Sequence, residues 1–156
     1  FSFLVIKPYG PGHFVHGLTM TDNVFRSING PIDRVESVDS TFATLNHSKA
    51  RNLVVQGNTF NAISEPIYNP CILEHSQASD TQTWMVDFAP LLPFNGRART
   101  VEAVVPVGAI QSGSANIYEL PHSQAEQGGS GSQVKLNWSR ACRGSVNLTA
   151  RMDNPT

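Results

Sequence analysis

Six charged side chains are of the types that acid–base chemistry uses: Asp33, Arg34, Glu36 and Asp39 stand close together, and Glu74 and His75 follow further along the chain. Two carboxylates near one another can divide general-acid and general-base roles or share a metal ion. Asp39 and Glu74 occupy equivalent positions of an internal repeat, which would set one over the other if the repeat units stack. The plainer reading is that all six are solvated charges on the outward face of a β structure. A second group surrounds the Gly- and Pro-rich stretch at 7–17, where Tyr9, His13 and His16 could meet a sugar by ring stacking and hydrogen bonding. Its plainer reading is a crossing between strands. Cys71 and Cys142 have no neighbouring Cys or His at metal-ligand spacing, so no metal and no cofactor are expected; each reads as a buried thiol, the alternative being that the two pair if the halves of the chain pack together.

The elements that would position these groups announce themselves as a repeat. Leu18 matches Leu53, Met20 matches Val55, Asn23 matches Asn58, Phe25 matches Phe60 and Ile28 matches Ile63, always 35 positions apart. The same offset continues through Pro31 and Pro66, Ile32 and Ile67, and Val38 and Leu73. Leu18 and Met20 alternate as a strand requires, Asn23 and Asn58 suit a turn at which amides bond one another, and the two phenylalanines suit a packed corner. Segments 32–38 and 41–45 also alternate apolar and polar residues, which argues for further strands rather than for the helix of a leucine-rich repeat. A loop is expected at 46–50.

Composition limits the rest. With 11 basic and 12 acidic residues among 156 the formal charge is −1, so there is no electrostatic case for a nucleic-acid partner. No apolar run is long enough for membrane insertion as a helix. After His75 the repeat fails. Residues 77–83 are polar and read as a linker, and strands are expected at 84–88, 101–107, 116–120, 134–138 and 146–150, with a Gly- and Ser-rich loop at 128–132. Trp84 and Trp138 lie in apolar strand patterns and read as core anchors.

The Asn and Phe spacing at 18–28 and 53–63 resembles the right-handed parallel β-helix superfamily of pectate lyases, polygalacturonase-related proteins and phage tailspikes. The resemblance implies an all-β chain: residues 1–76 as the last coils of a right-handed parallel β-helix, and residues 84–156 as a small antiparallel, sandwich-like cap used in oligomerisation. It also implies that Asp33, Arg34, Glu36, Asp39, Glu74 and His75 could contact polysaccharide from the outer face of the coils. No catalytic motif of the superfamily matches residue by residue, so no catalytic residue is assigned. The expected function is the non-catalytic C-terminal part of an extracellular or virion-surface, spike-like protein that recognises cell-surface polysaccharide and assembles as a homo-oligomer, a trimer by the resemblance. The alternative is a fragment of a polysaccharide lyase or glycoside hydrolase whose active site lies mostly in earlier coils. Phe88, Leu91, Leu92 and Phe94, an apolar cluster interrupted by prolines, are the expected oligomer contact.

Overall fold

The structure is a computed structural model that describes residues 2–155. Short strands come first: β1 (Leu4–Ile6), β2 (Val15–His16), β3 (Thr19–Thr21), β4 (Val24–Arg26) and β5 (Glu36–Val38). A 3-10 turn at His47–Lys49 leads to β6 (Ala50–Arg51), β7 (Val54–Gln56) and β8 (Thr59–Asn61). They pair in parallel, β1 with β5, β2 with β6, β3 with β7 and β4 with β8, and each of these sheets has two strands.

The 35-residue register holds from Val15 beside Ala50 to Arg26 beside Asn61. The corners explain why. Gly17 and Asn52 have φ of 74° and 51°, and Asp22 and Gly57 have φ of 57° and 69°, so equivalent positions turn through the left-handed region that Gly, Asn and Asp enter at least cost. The residue before each ladder asparagine therefore takes the turn, and the asparagine is left to bond. Asn58 Oδ1 accepts from Asn23 N at 2.9 Å and from Asn23 Nδ2 at 3.1 Å, and Asn58 Nδ2 donates to Met20 O at 2.8 Å. The rings of Phe25 and Phe60 stack at 5.6 Å and 16°.

Beyond Arg26 the register changes. Ile32 bridges Ile63 instead of matching Ile67, and Val38 pairs with Ile6 instead of Leu73. The cause is a longer loop in the first repeat, which places Ile28 at 82% exposure rather than over Ile63. Segment 41–45 is not a strand.

The second half begins earlier than the sequence suggests. β9 (Cys71–Asp87) is one 17-residue strand, so 77–83 is its middle and not a linker. A 3-10 turn at Pro93–Asn95 precedes β10 (Thr100–Ser112), β11 (Ala115–Ile117), β12 (His122–Gln127) and β13 (Gln133–Arg151). β13 is the centre of a five-stranded antiparallel sheet, with β9 along one side and β12 and then β10 along the other. The expected strands at 134–138 and 146–150 are the two halves of β13, whose pairing with β9 is irregular between Asn137 and Gly144. Val134, Leu136, Trp138, Val146, Leu148 and Ala150 alternate into the core. Trp84 and Trp138 meet there at 4.7 Å.

The chain is thus all-β, but it does not form the right-handed parallel β-helix that the resemblance implies. Among the described residues parallel pairing stops at two strands in every case, and the dominant sheet is antiparallel. The far side of the second repeat is closed by other parts of the same chain, as Val55 bridges Asn69 and Arg51 bridges Asn154.

A buried polar latch makes that closure. Asp153 is fully buried, and its carboxylate accepts from Leu53 N at 2.7 Å, Asn69 Nδ2 at 2.8 Å, Arg151 Nε at 3.0 Å and Arg151 Nη2 at 3.1 Å. Arg151 Nη2 also donates to Leu53 O at 2.7 Å, and Asn69 Oδ1 accepts from Met152 N at 2.9 Å. A carboxylate withdrawn from water needs this degree of pairing to remain charged.

Candidate carbohydrate-contact surface

The loop that follows β1 and the turn that follows β5 lie side by side because β1 and β5 pair in parallel, with Asp39 N continuing the ladder to Ile6 O at 2.8 Å. Lys7 and Asp39, one residue beyond each strand, form an ion pair at 2.7 Å. Asp39 also accepts from Thr41 N at 3.0 Å and from the Thr41 hydroxyl, an Asx turn that bends the chain toward Phe42. These contacts, first the hydrogen bond from Lys7 and then those from Thr41, hold the Asp39 carboxyl down to about 2, and the same bond to Asp39 raises the Lys7 ammonium.

The result is a pair of aromatic rings facing solvent. Tyr9 and Phe42 stack at 5.1 Å and 22°, yet they remain 75% and 59% exposed. The Lys7 ammonium lies 5.0 Å from the Phe42 ring centre and 6.0 Å from that of Tyr9. The loop behind them is stapled. His13 Nδ1 donates to Gly10 O at 2.6 Å while Nε2 accepts from Asn46 N at 2.9 Å, and Lys49 Nζ donates to Pro11 O. Phe14, further along the same loop, is also exposed, at 74%. Apolar planes held open beside a fixed charged pair can receive the C–H face of a sugar ring while its hydroxyls meet the charges at the rim.

The other charged candidates are dispersed. Asp33 is exposed. Arg34 is a structural clamp: Nε and Nη2 donate to Glu36 Oε1 at 3.0 and 2.6 Å, Nη1 donates to Glu65 Oε2 at 3.1 Å and Pro90 O at 2.7 Å, and Nη2 also reaches Leu92 O at 2.9 Å. Glu36 is buried and also accepts from Phe94 N at 2.8 Å, which holds Phe94 in the left-handed region at φ 55°. Glu74 does not lie over Asp39. It sits in β9 beside Asn147 of β13 and faces solvent, while the next residue, His75, turns to the opposite face, 5.8 Å from Trp84. The stacked carboxylate pair expected from the repeat is therefore absent, because the register changes before it reaches either residue.

The cluster expected at an oligomer contact lies inside its own chain. Phe88, Leu92 and Phe94 are buried in the core, and Leu91 is half-buried against it. Cys71 and Cys142 are free, buried thiols, both pushed up to about 11, by burial alone at Cys71 and chiefly by burial at Cys142. Among the described residues no group of three or more His, Cys, Asp or Glu side chains is arranged to hold a metal ion.

Of the surface residues, Tyr9 and Asp39 are visible as candidates in the sequence, but Lys7 and Phe42 are not singled out there. The missed signal is the equivalence of Lys7 and Asp39 as the residues leaving two paired strands. No family model, no curated protein and no solved structure matches this chain.

Proposed function

We propose that this chain is a non-catalytic, glycan-contacting part of an extracellular or virion-surface protein that works as a homo-oligomer. The observation that carries the reading is the exposed Tyr9–Phe42 ring pair with the Lys7–Asp39 ion pair fixed beside it. Solvent-exposed, mutually stacked rings on a stapled loop leave apolar surface in water and fix the loop at an entropy cost, which a purely connecting segment has no reason to bear. The carboxylates that could have served catalysis are used elsewhere: Glu36 takes part in a clamp, Asp39 is paired with Lys7, and Glu74 lies on another sheet. Assembly is supported by the outer side of β9, which among the described residues has no strand paired to it.

The test is affinity electrophoresis of the chain through gels cast with a panel of polysaccharides. One or more should retard the wild type, and Tyr9→Ala combined with Phe42→Ala should abolish the retardation. Because both rings are exposed, the double variant should melt within about 0.5 kcal/mol of wild type. Retardation that survives in the double variant would remove the ring pair from the reading. Release of new reducing ends from any retarding polysaccharide would overturn the non-catalytic part.

A further inference from the structure

A cleft separate from the ring pair lies between the 3-10 turn at His47–Lys49, the segment leading into β10, and the end of β12. It has a volume of about 410 Å³, and its polar lining is Asn46, His47, Ser48, Arg97, Arg99 and Glu126. The two arginines are not equivalent. Arg99 is engaged, with Nη1 at 3.6 Å from Glu126 Oε1 and Nε donating to Asn154 Oδ1 at 3.3 Å. Arg97 is exposed and has neither an ion pair nor a hydrogen bond among the described residues. Its stem is nevertheless placed. It lies over Gly131, where an added Cβ would come within 3.0 Å of Arg97 Cγ and where φ is 73°.

His47 is the second unsatisfied group. Its Nδ1 is buried and has no hydrogen-bond partner. Burial first, and the Arg97 charge second, press the imidazole toward its neutral form. The groups facing it are Arg97, Arg99 and Glu126 on this side, with Arg34 and Glu36 across the adjoining cleft, where Glu36 is already held by Arg34. Glu126 answers one guanidinium only, so the wall keeps one uncompensated positive charge and one unpartnered ring nitrogen.

We propose that this cleft binds a tetrahedral oxyanion, as free sulfate or phosphate or as the corresponding monoester on a larger molecule, with the Arg97 guanidinium as its donor fork and the His47 imidazole beside it. Planar guanidinium groups match such oxyanions with two parallel hydrogen bonds. A bound anion also supplies the missing counter-charge, so binding and protonation of His47 favour one another.

The experiment is an NMR titration of the His47 ring protons against pH in sodium chloride, sodium sulfate and sodium phosphate at equal ionic strength. Sulfate or phosphate should raise the pH at which His47 titrates, saturably, and chloride should not. Arg97→Gln, an exposed change that should leave the melting temperature unaltered, should weaken the affinity by about tenfold or more. Glucose 6-sulfate and O-phosphoserine, run alongside, identify the source. Tighter binding of one names that ester class, and binding no tighter than the free ions names the inorganic ion. Equal shifts in chloride, or an affinity unchanged in Arg97→Gln, overturn the proposal.

Discussion

Asp153 shows how one side chain, which nothing in the sequence marks out, ties distant parts of the chain together. Its carboxylate joins β13 to Leu53 and Asn69 in a fully buried network. Asp153→Ala removes one partner and leaves Arg151 charged and buried, so it should cost about 3–5 kcal/mol in urea denaturation. Acid should act on the same bond. Burial pushes the Asp153 carboxyl up, but the hydrogen bonds from Arg151, Asn69 and Leu53 outweigh it and hold the group below its ordinary 3.8. The folded state therefore takes up this proton later than the unfolded state does. Its stabilisation is complete above the ordinary carboxyl value and is lost as pH falls through 3.8 toward the lower folded value. The difference in urea midpoint between wild type and Asp153→Asn should accordingly shrink on acidification below pH 3.8. A difference that stays constant across that range would show that Asp153 is not the group responsible.

The paired corners of β3–β4 and β7–β8 join a sequence repeat to a backbone requirement. Gly57 at φ 69° would gain a Cβ within 2.5 Å of Asp22 Oδ1 on substitution. That oxygen ends an exposed side chain that can rotate aside, so the remaining cost of Gly57→Ala is the left-handed backbone, about 1–2 kcal/mol. Phe25 is the better buried of the stacked pair, and Phe25→Ala should cost about 3–5 kcal/mol, more than Phe60→Ala, in the same assay. Equal and small losses for both would mean that the stack is not a packed corner.

Two faces of the molecule have different fates. The inner face of the antiparallel sheet is covered by β1, β2, β5 and β6 and by the proline-rich loop at 88–95, whereas β9 carries a 17-residue edge that, among the described residues, only β13 partners. An edge of that length is a template for another strand. Between Gln77 and Thr81 the ladder to β13 is interrupted, so Ala78→Pro removes an N–H that no aligned partner uses. In light scattering the wild type should be an oligomer and Ala78→Pro a monomer of unchanged melting temperature. A monomeric wild type would remove assembly from the functional reading.

The all-β character, the 35-residue spacing, the bonded asparagines and the tryptophan core were all legible in the sequence, because alternation, turn residues and repeated apolar positions are local patterns that backbone geometry reads directly. Local patterns do not carry the number of partners a strand will find. The polar run at 77–83 looks like a linker because it has no large apolar side chain to mark a buried face and contains Asp80, a residue strands disfavour, yet pairing with β13 on either side of the bulge draws it into one. The parallel repeats stop at two strands because Asn69 and Asn154 close the second one, and Asp153 makes that closure hold. Asp39 was visible as a charged candidate, but its partner was not. The first repeat's loop is four residues longer, since Ile32 meets Ile63 at a separation of 31 where Phe25 meets Phe60 at 35, which moved Asp39 away from Glu74, and the pairing of β1 with β5 placed it against Lys7, beside the rings of Tyr9 and Phe42. Register and closure depend on contacts between residues far apart in the chain, and folding alone decides those.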